Sequence, residues 1–345
     1  MIKIDGSFGE GGGAILRQAL ALSTLTGKPF EINNIRSNRP TPGLKAQHMH
    51  SIIALEKISN SSVTNCEIGS KKITFIPGHI KNKSVEVDVG TAGSITLLLQ
   101  SLMLPIVFSG KKVIIKLTGG TDVKWSQPID YFNNVLVPVF RKYADIEVKT
   151  LRRGYFPKGN GIVSLQISSH SEGLNRQPLD FTNRGKLLQI RGVSHASSDL
   201  MDLRVADRQA DSAEVQLSNL GVPVRIDRQY SNSHSTGSGI LVWGVFGSDT
   251  SEVHRPIIIA GDSLGEKNKK SEDIGKEAAL NLKKEIESEA VVDKYLADQL
   301  IPLLAITSGE IKTSEITKHA KANIYVAEKF LSVKFKIEGN VIRVS

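Results

Sequence analysis

The sequence predicts a mixed α/β (α+β) fold in which one small unit is used three times and interrupted once. Three observations carry this. First, residues 11–35 (GGGAILRQALALSTLTGKPFEINNI), 93–117 and 293–316 share one order of features: an apolar helical stretch, a Thr/Ser-Gly turn, then a short strand-like run. Second, a further amphipathic stretch follows each of them. Third, the grammar stops between about residues 182 and 288 and then resumes.

Each element has a local reason. Glycine at the turn supplies the positive φ that ends a helix. The second helices are predicted over 45–58, 129–143 and 320–331; in the first, Met49, Ile52, Ile53 and Leu55 recur at roughly helical spacing. Strand-like runs come next: KKITFIPG, IEVKTLRRGYF and SVKFKIEGNVIRVS. The unit is thus helix–strand–helix–strand–strand. One unit cannot bury its apolar face alone, and stacking three closes a core. Residues 1–181 and 289–345 are assigned to this three-unit domain. Residues 182–288 are assigned to an inserted α/β domain, with strands at KLLQIRGV, VPVRIDRQY and GILVWGVFG, helices over 200–220 and 272–287, and a loop at GDSLGEKNKKSED.

Composition narrows the class. The single cysteine, Cys66, excludes an intrachain disulfide and a cysteine metal cluster. No run approaches the roughly 18 apolar residues of a membrane span, and the N-terminus shows no secretory apolar region. A cytoplasmic location with no membrane partner is expected. The net charge of +9 suits a polyanionic partner, because neutralising phosphates releases counterions. Arg17, Arg36, Arg39 and Lys45 crowd the N-terminal quarter, where arginine can grip phosphate oxygens bidentately.

Several segments can carry chemistry. GEGGGAILR puts Glu10, three glycines and a helix start in succession. Backbone amides there suit a phosphate, and Glu10 could hold a divalent cation. It is not a Walker A loop. Lys3-Ile4-Asp5-Gly6 matches the K-x-D-G of lysine-dependent polynucleotide ligases, but reads better as an exposed edge strand. Arg36, Arg39, Gln47 and His48 precede or open a helix and could cradle a terminal phosphate. Gln100 is polar within an apolar helix, and Pro128 and Tyr131 close a long polar turn. Tyr295, Asp298 and Gln299 stand at i, i+3 and i+4, on one helical face. His319 opens the final amphipathic helix.

Taken in order, DGSFGEGGGAILRQALALS, RPTPGLKAQH, GTAGSITLLLQ, GGTD with PIDYF, GYFPKGNG, YLADQL and HAKANIYVAEKFL resemble the RNA 3′-terminal phosphate cyclase family. The resemblance covers nearly all of the chain outside the insertion. It implies three βαβαββ repeats similar to those of enolpyruvate transferases, plus an inserted α/β domain. It also implies roles: His319 as the nucleophile; Gln100, Pro128, Tyr131, Tyr295, Asp298 and Gln299 around the nucleotide; Arg17, Arg36, Arg39 and Gln47 near the RNA end; Glu10 at the metal. The implied reaction consumes ATP with a divalent cation, Mg²⁺ or Mn²⁺. It converts an RNA 3′-phosphate end to a 2′,3′-cyclic phosphate through protein-bound AMP and an RNA–(3′)pp(5′)–A anhydride. A non-catalytic relative that binds RNA in ribosome biogenesis is the alternative, and an enolpyruvate transferase a weaker one. The oligomeric state, homodimer or otherwise, is left open.

Overall fold

In a computed structural model of the chain, residues 1–170, 178–247 and 257–344 are described. The elements run β1 (Ile2–Asp5), α1 (Ala14–Thr26), β2 (Phe30–Asn33), α2 (Ala46–Ser59), β3 (Ser62–Thr64) and β4 (Ile73–Ile76). Next come β5 (Lys83–Asp88), α3 (Ile95–Val107), β6 (Lys112–Gly119), α4 (Ile129–Tyr131), a π-helical turn (Phe132–Leu136), α5 (Val137–Phe140), β7 (Ala144–Arg152) and β8 (Gly161–Ser169). After β9 (Leu179–Phe181) stand β10 (Lys186–Ser197), α6 (Val205–Leu217), β11 (Val224–Ser231), β12 (Ser238–Gly247), β13 (Ile257–Leu264) and α7 (Ser271–Glu287). The chain closes with α8 (Lys294–Thr307), β14 (Gly309–Lys312), α9 (Lys318–Phe330), β15 (Phe335–Glu338) and β16 (Val341–Val344).

Among the described residues, three of the four sheets have one topology. Their strand orders are β1-β2-β4-β3, β5-β6-β8-β7 and β9-β14-β16-β15. In each, the first pair is parallel and the other two are antiparallel. The mixed α/β class expected from the sequence is what the structure has. Each unit also opens with a strand, as the βαβαββ resemblance implies, but the residue pattern does not locate β5 and β9. β9 is only three residues long and β5 is largely exposed, so neither has a strong apolar pattern.

The first helices of the units, α1, α3 and α8, are buried along nearly their whole length. α1 packs against both α3 and α9, and α3 against α8. That is why these segments read as apolar all round and not as one-sided stripes. α3 runs through Pro105 and α8 through Pro302. No helix among the described residues is long and apolar enough to cross a membrane.

Between β9 and α8 lies a fourth sheet, of order β11-β10-β12-β13, with α6 and α7 against it. Both of its faces are covered. Val193, Leu241, Trp243, Ile258 and Ala260 join the main core. Ile190, Ile226, Ile240, Val242 and Ile259 face the helices α6 and α7 in a second core. Strict alternation along β12 divides the two sets. β13 occupies the first part of the stretch expected to be a surface loop; only 265–270 is irregular there.

Candidate active site

Loop 6–13 and the start of α9 meet at one place. His319 is the second residue of α9, and its side chain is 45% exposed. The helix begins there because Thr317 caps it: Oγ1 accepts from Ala320 N at 2.9 Å. The same hydroxyl donates to Asp298 Oδ1 at 2.5 Å, tying α9 to α8. His319 Nδ1 lies 2.9 Å from Glu10 Oε1, and Arg39 Nη2 lies 3.0 Å from the same oxygen. The His319 contact, then the nearby charge of His319 and Arg39, holds the Glu10 carboxyl below its ordinary range against the opposing effect of burial. Glu10 is therefore an anion at neutral pH.

The glycines of this loop leave room for those side chains. A Cβ on Gly12 would stand 2.6 Å from Glu10 Oε1 and 2.9 Å from Arg39 Nη2. A Cβ on Gly13 would stand 2.3 Å from His48 Nε2 and 2.9 Å from Arg17 Nη1. No side chain caps α1, and its first turn holds no acidic residue. Its amides thus leave a positive end beside two arginines.

Arg17 is buried and donates through Nε to Gln100 Oε1 at 2.9 Å, joining α1 to α3. Burial lowers its pKa to about 10, so it stays charged. Gln47 Oε1 accepts from Ser94 N at 3.3 Å, at the cap of α3. His48 is buried; its Nδ1 accepts from Lys45 N, and burial followed by the charges of Arg17, Arg36 and Lys45 pushes its pKa down to about 3. Arg36 points elsewhere: Nη1 donates to Thr41 O at 2.6 Å and Gly43 O at 3.1 Å, folding the loop that carries Arg39.

The proposed nucleotide residues divide into two sets. Tyr295 is 40% exposed, and Gln299, one turn on, donates to its carbonyl at 3.1 Å. Asp298, by contrast, is buried toward Thr317, and burial pushes its carboxyl up to about 7. Pro128 caps α4, and Tyr131 is fully buried, its hydroxyl donating to Asp293 Oδ1 at 2.7 Å. That oxygen also accepts from Tyr295 N and Leu296 N, so Tyr131 braces the start of α8. Sequence reading missed Asp293, although an Asp just before an apolar helical run is a cap signature. Lys3 is exposed on the edge strand β1.

A second charged cluster, also missed, joins the inserted sheet to the second unit. His195 Nε2 lies 3.3 Å from Asp122 Oδ1, and the Tyr155 hydroxyl lies 2.8 Å from His195 Nδ1. Ligand atoms of Asp122, Asp130 and His195 lie within 4.8 Å of one another, a spacing a metal ion could use. A cation already stands there, however. Arg153 Nη1 is 2.8 Å from Asp130 and 3.2 Å from Asp122, and its Nη2 donates to Gln229 at 3.0 Å. Burial alone would raise the Asp122 carboxyl; His195 and Arg153 together hold it well below the usual range. The cluster fits a structural ion network better than a metal centre. Glu10 also meets a cation, Arg39, but both contacts fall on one oxygen, Oε1, so Oε2 is a donor that a hard cation could take.

Comparison with known proteins agrees with the order of motifs. The family profile of RNA 3′-terminal phosphate cyclase matches residues 8–337. The RNA 3′-terminal phosphate cyclase of Pyrococcus furiosus is 46% identical over 342 residues, covering 99% of this chain and 96% of that protein. Those of Archaeoglobus fulgidus and Saccharolobus solfataricus are each 43% identical, over 346 residues (99% of each chain) and 344 residues (98% and 97%). With the profile spanning nearly the whole chain and these relatives aligned end to end, the chain belongs to the RNA 3′-terminal phosphate cyclase family.

Proposed function

We propose that this protein converts an RNA 3′-phosphate end to a 2′,3′-cyclic phosphate at the expense of ATP, with His319 as the residue that carries AMP. The observation that carries this reading is the contact between His319 Nδ1 and Glu10 Oε1 at 2.9 Å. A carboxylate there fixes the tautomer with the proton on Nδ1, which leaves the Nε2 lone pair for attack. It also stabilises the positive charge that grows on the ring as the N–P bond forms.

In the first step Nε2 attacks the α-phosphorus of ATP and the bond to the β,γ-diphosphate breaks, releasing pyrophosphate. An oxygen of the RNA 3′-phosphate then attacks that phosphorus, breaking the N–P bond and restoring the imidazole. The anhydride that results has AMP as its leaving group. The vicinal 2′-hydroxyl attacks the RNA phosphorus, loses its proton and expels AMP. This last step is intramolecular, so proximity supplies most of it. Arg17, Arg39 and the free amides of α1 offset charge on the phosphoryl oxygens. Gln100 and Gln47 hold Arg17 and the α3 turn in place. Tyr295 and Gln299 would line the adenine, with Asp298, Tyr131 and Pro128 supporting them from behind. Glu10 is the residue that would hold a divalent cation, Mg²⁺ or Mn²⁺, which when bound screens the nucleotide phosphates. A cytoplasmic location suits these substrates.

The test is incubation with α-labelled ATP followed by peptide mapping. An acid-labile, alkali-resistant AMP adduct on the peptide containing His319, absent from His319→Ala, supports the reading. Label on the peptide containing Lys3, or undiminished label in His319→Ala, overturns it.

A further inference from the structure

Trp125 is 95% exposed, while the other tryptophan, Trp243, is only 7% exposed. Its φ is +71°, in the left-handed region that a bulky residue rarely adopts. The loop that holds it there is tied down on every side. Ser126 Oγ donates to Val123 O at 3.1 Å, Thr96 Oγ1 to Gln127 O at 2.8 Å, and Ile129 N to Thr121 O at 3.0 Å. Lys124 lies 3.1 Å from Glu266 of the inserted segment. The indole is presented to solvent by a fixed support.

A neighbouring loop does the same with Phe156, which is 76% exposed and is followed by the exposed Pro157 and Lys158. Both loops pack on the turn that precedes α3. Gly120 N donates to Gly93 O at 2.8 Å, and Gly159 is so close to that turn that a Cβ there would stand 2.7 Å from Ala92 Cα. This turn is part of the candidate site: Ser94 N bonds Gln47, and Gln100, one helical turn beyond Thr96, holds Arg17. Residues 123–128 and 154–161 contain Lys124 and Lys158 and no acidic side chain.

We infer that Trp125 and Phe156 form a stacking platform for unpaired bases of the RNA strand just upstream of its terminal phosphate. Two exposed aromatic rings, one of them beside the exposed Lys158, match single-stranded nucleic acid: rings take the bases and the cation takes the backbone, while Lys124 is engaged by Glu266. The platform is continuous with the arginine-lined site through the turn at 90–94, so a strand whose end lies at Arg17 and Arg39 can reach it. The inference rests on the cyclase reading for the choice of strand. It adds a preference for frayed or single-stranded ends over paired ones.

The two tryptophans make the test direct. Emission from Trp125 is open to iodide quenching, and buried Trp243 serves as the internal control. A 3′-phosphorylated RNA decamer should quench the exposed component and protect it from iodide. Trp125→Ala should weaken binding of the labelled decamer about tenfold, and Trp125→Phe should restore most of it. A decamer abasic at its last three positions should bind wild type and Trp125→Ala alike. Binding is read without turnover, so a protein that binds RNA but never carries AMP would sink the cyclase reading and leave this one standing. Equal decamer affinity in wild type and Trp125→Ala overturns the inference. So does quenching by ATP without RNA, which would make Trp125 an adenine partner. A Trp125→Ala variant that changes from dimer to monomer in sedimentation also overturns it, by giving the surface to a second copy of the chain.

Discussion

His319 Nδ1 and Glu10 Oε1 stand 2.9 Å apart although their residues come from opposite ends of the chain. Contact with the ring holds the Glu10 carboxyl below its ordinary range, and in the proposed function that carboxylate orients the ring. Glu10→Gln should therefore slow formation of protein-bound AMP by about 10- to 100-fold while leaving the fold intact. Single-turnover labelling with ATP checks this. A rate within twofold of wild type would detach Glu10 from His319 function.

Arg39 pairs with Glu10 yet is 39% exposed, so it can also meet a ligand. Arg39→Ala should reduce cyclisation of RNA 3′-phosphate about tenfold more than it reduces AMP loading. Measuring the two half-reactions separately decides it; equal losses would place Arg39 at the nucleotide.

Asp298 holds its proton up to about pH 7, chiefly through burial, against an unfolded value of about 3.9. Between those values the folded chain binds a proton that the unfolded chain has released. The stability this group contributes is complete below about pH 4 and is lost as pH rises through about 7. Asp298→Asn removes the slope. Its melting temperature relative to wild type should therefore rise by several degrees from pH 5.5 to pH 8.5. Parallel curves would mean that Asp298 is ionised throughout. Asp262 and Asp293, each raised to about 6 by burial, remain as common background.

Tyr131→Phe removes a buried donor from Asp293 and should cost about 1–2 kcal/mol in urea unfolding. Preference for ATP over GTP should not change, because the hydroxyl is already engaged with Asp293. A changed nucleotide preference would instead put Tyr131 against the base.

Gly13→Ala would drive a methyl toward His48 Nε2 and Arg17 Nη1. Packing strain of about 1–3 kcal/mol is expected, together with weaker RNA binding as Arg17 moves. Unchanged melting and unchanged RNA affinity would show that the loop has slack.

Much of the fold was legible because its buried helices are apolar in the sequence itself. α1, α3 and α8 announced the three units, and the glycines after them marked the turns. β5 and β9 were not legible: one is exposed, the other very short, and pairing with a distant strand is what makes each a strand. At the site, the residue types at Glu10, Arg39 and His319 could be read, but not their meeting, which depends on α1 and α9 packing together. Tyr131 reads in the sequence as the end of a polar turn and Asp298 as part of a helical face with Tyr295 and Gln299, and the resemblance implies nucleotide roles for both. Their buried partners, Asp293 and Thr317, come from other segments and could not be read with them. Asp122 lies in the GGTD motif, but its partnership with Arg153 and His195 was not legible, since their charges meet only across the junction with the sheet β11-β10-β12-β13.

The place of the inserted sheet bears on how the protein is made. β9 pairs in parallel with β14, yet the whole of β10 to α7 is synthesised between them. The third sheet therefore cannot close until that intervening segment has emerged. His319 emerges later still, in α9. A chain cut before this point carries Glu10 and Arg39 without the histidine they meet. On the proposed function, a chain that stops short of α9 should bind no AMP covalently, because the residue proposed to carry it is missing.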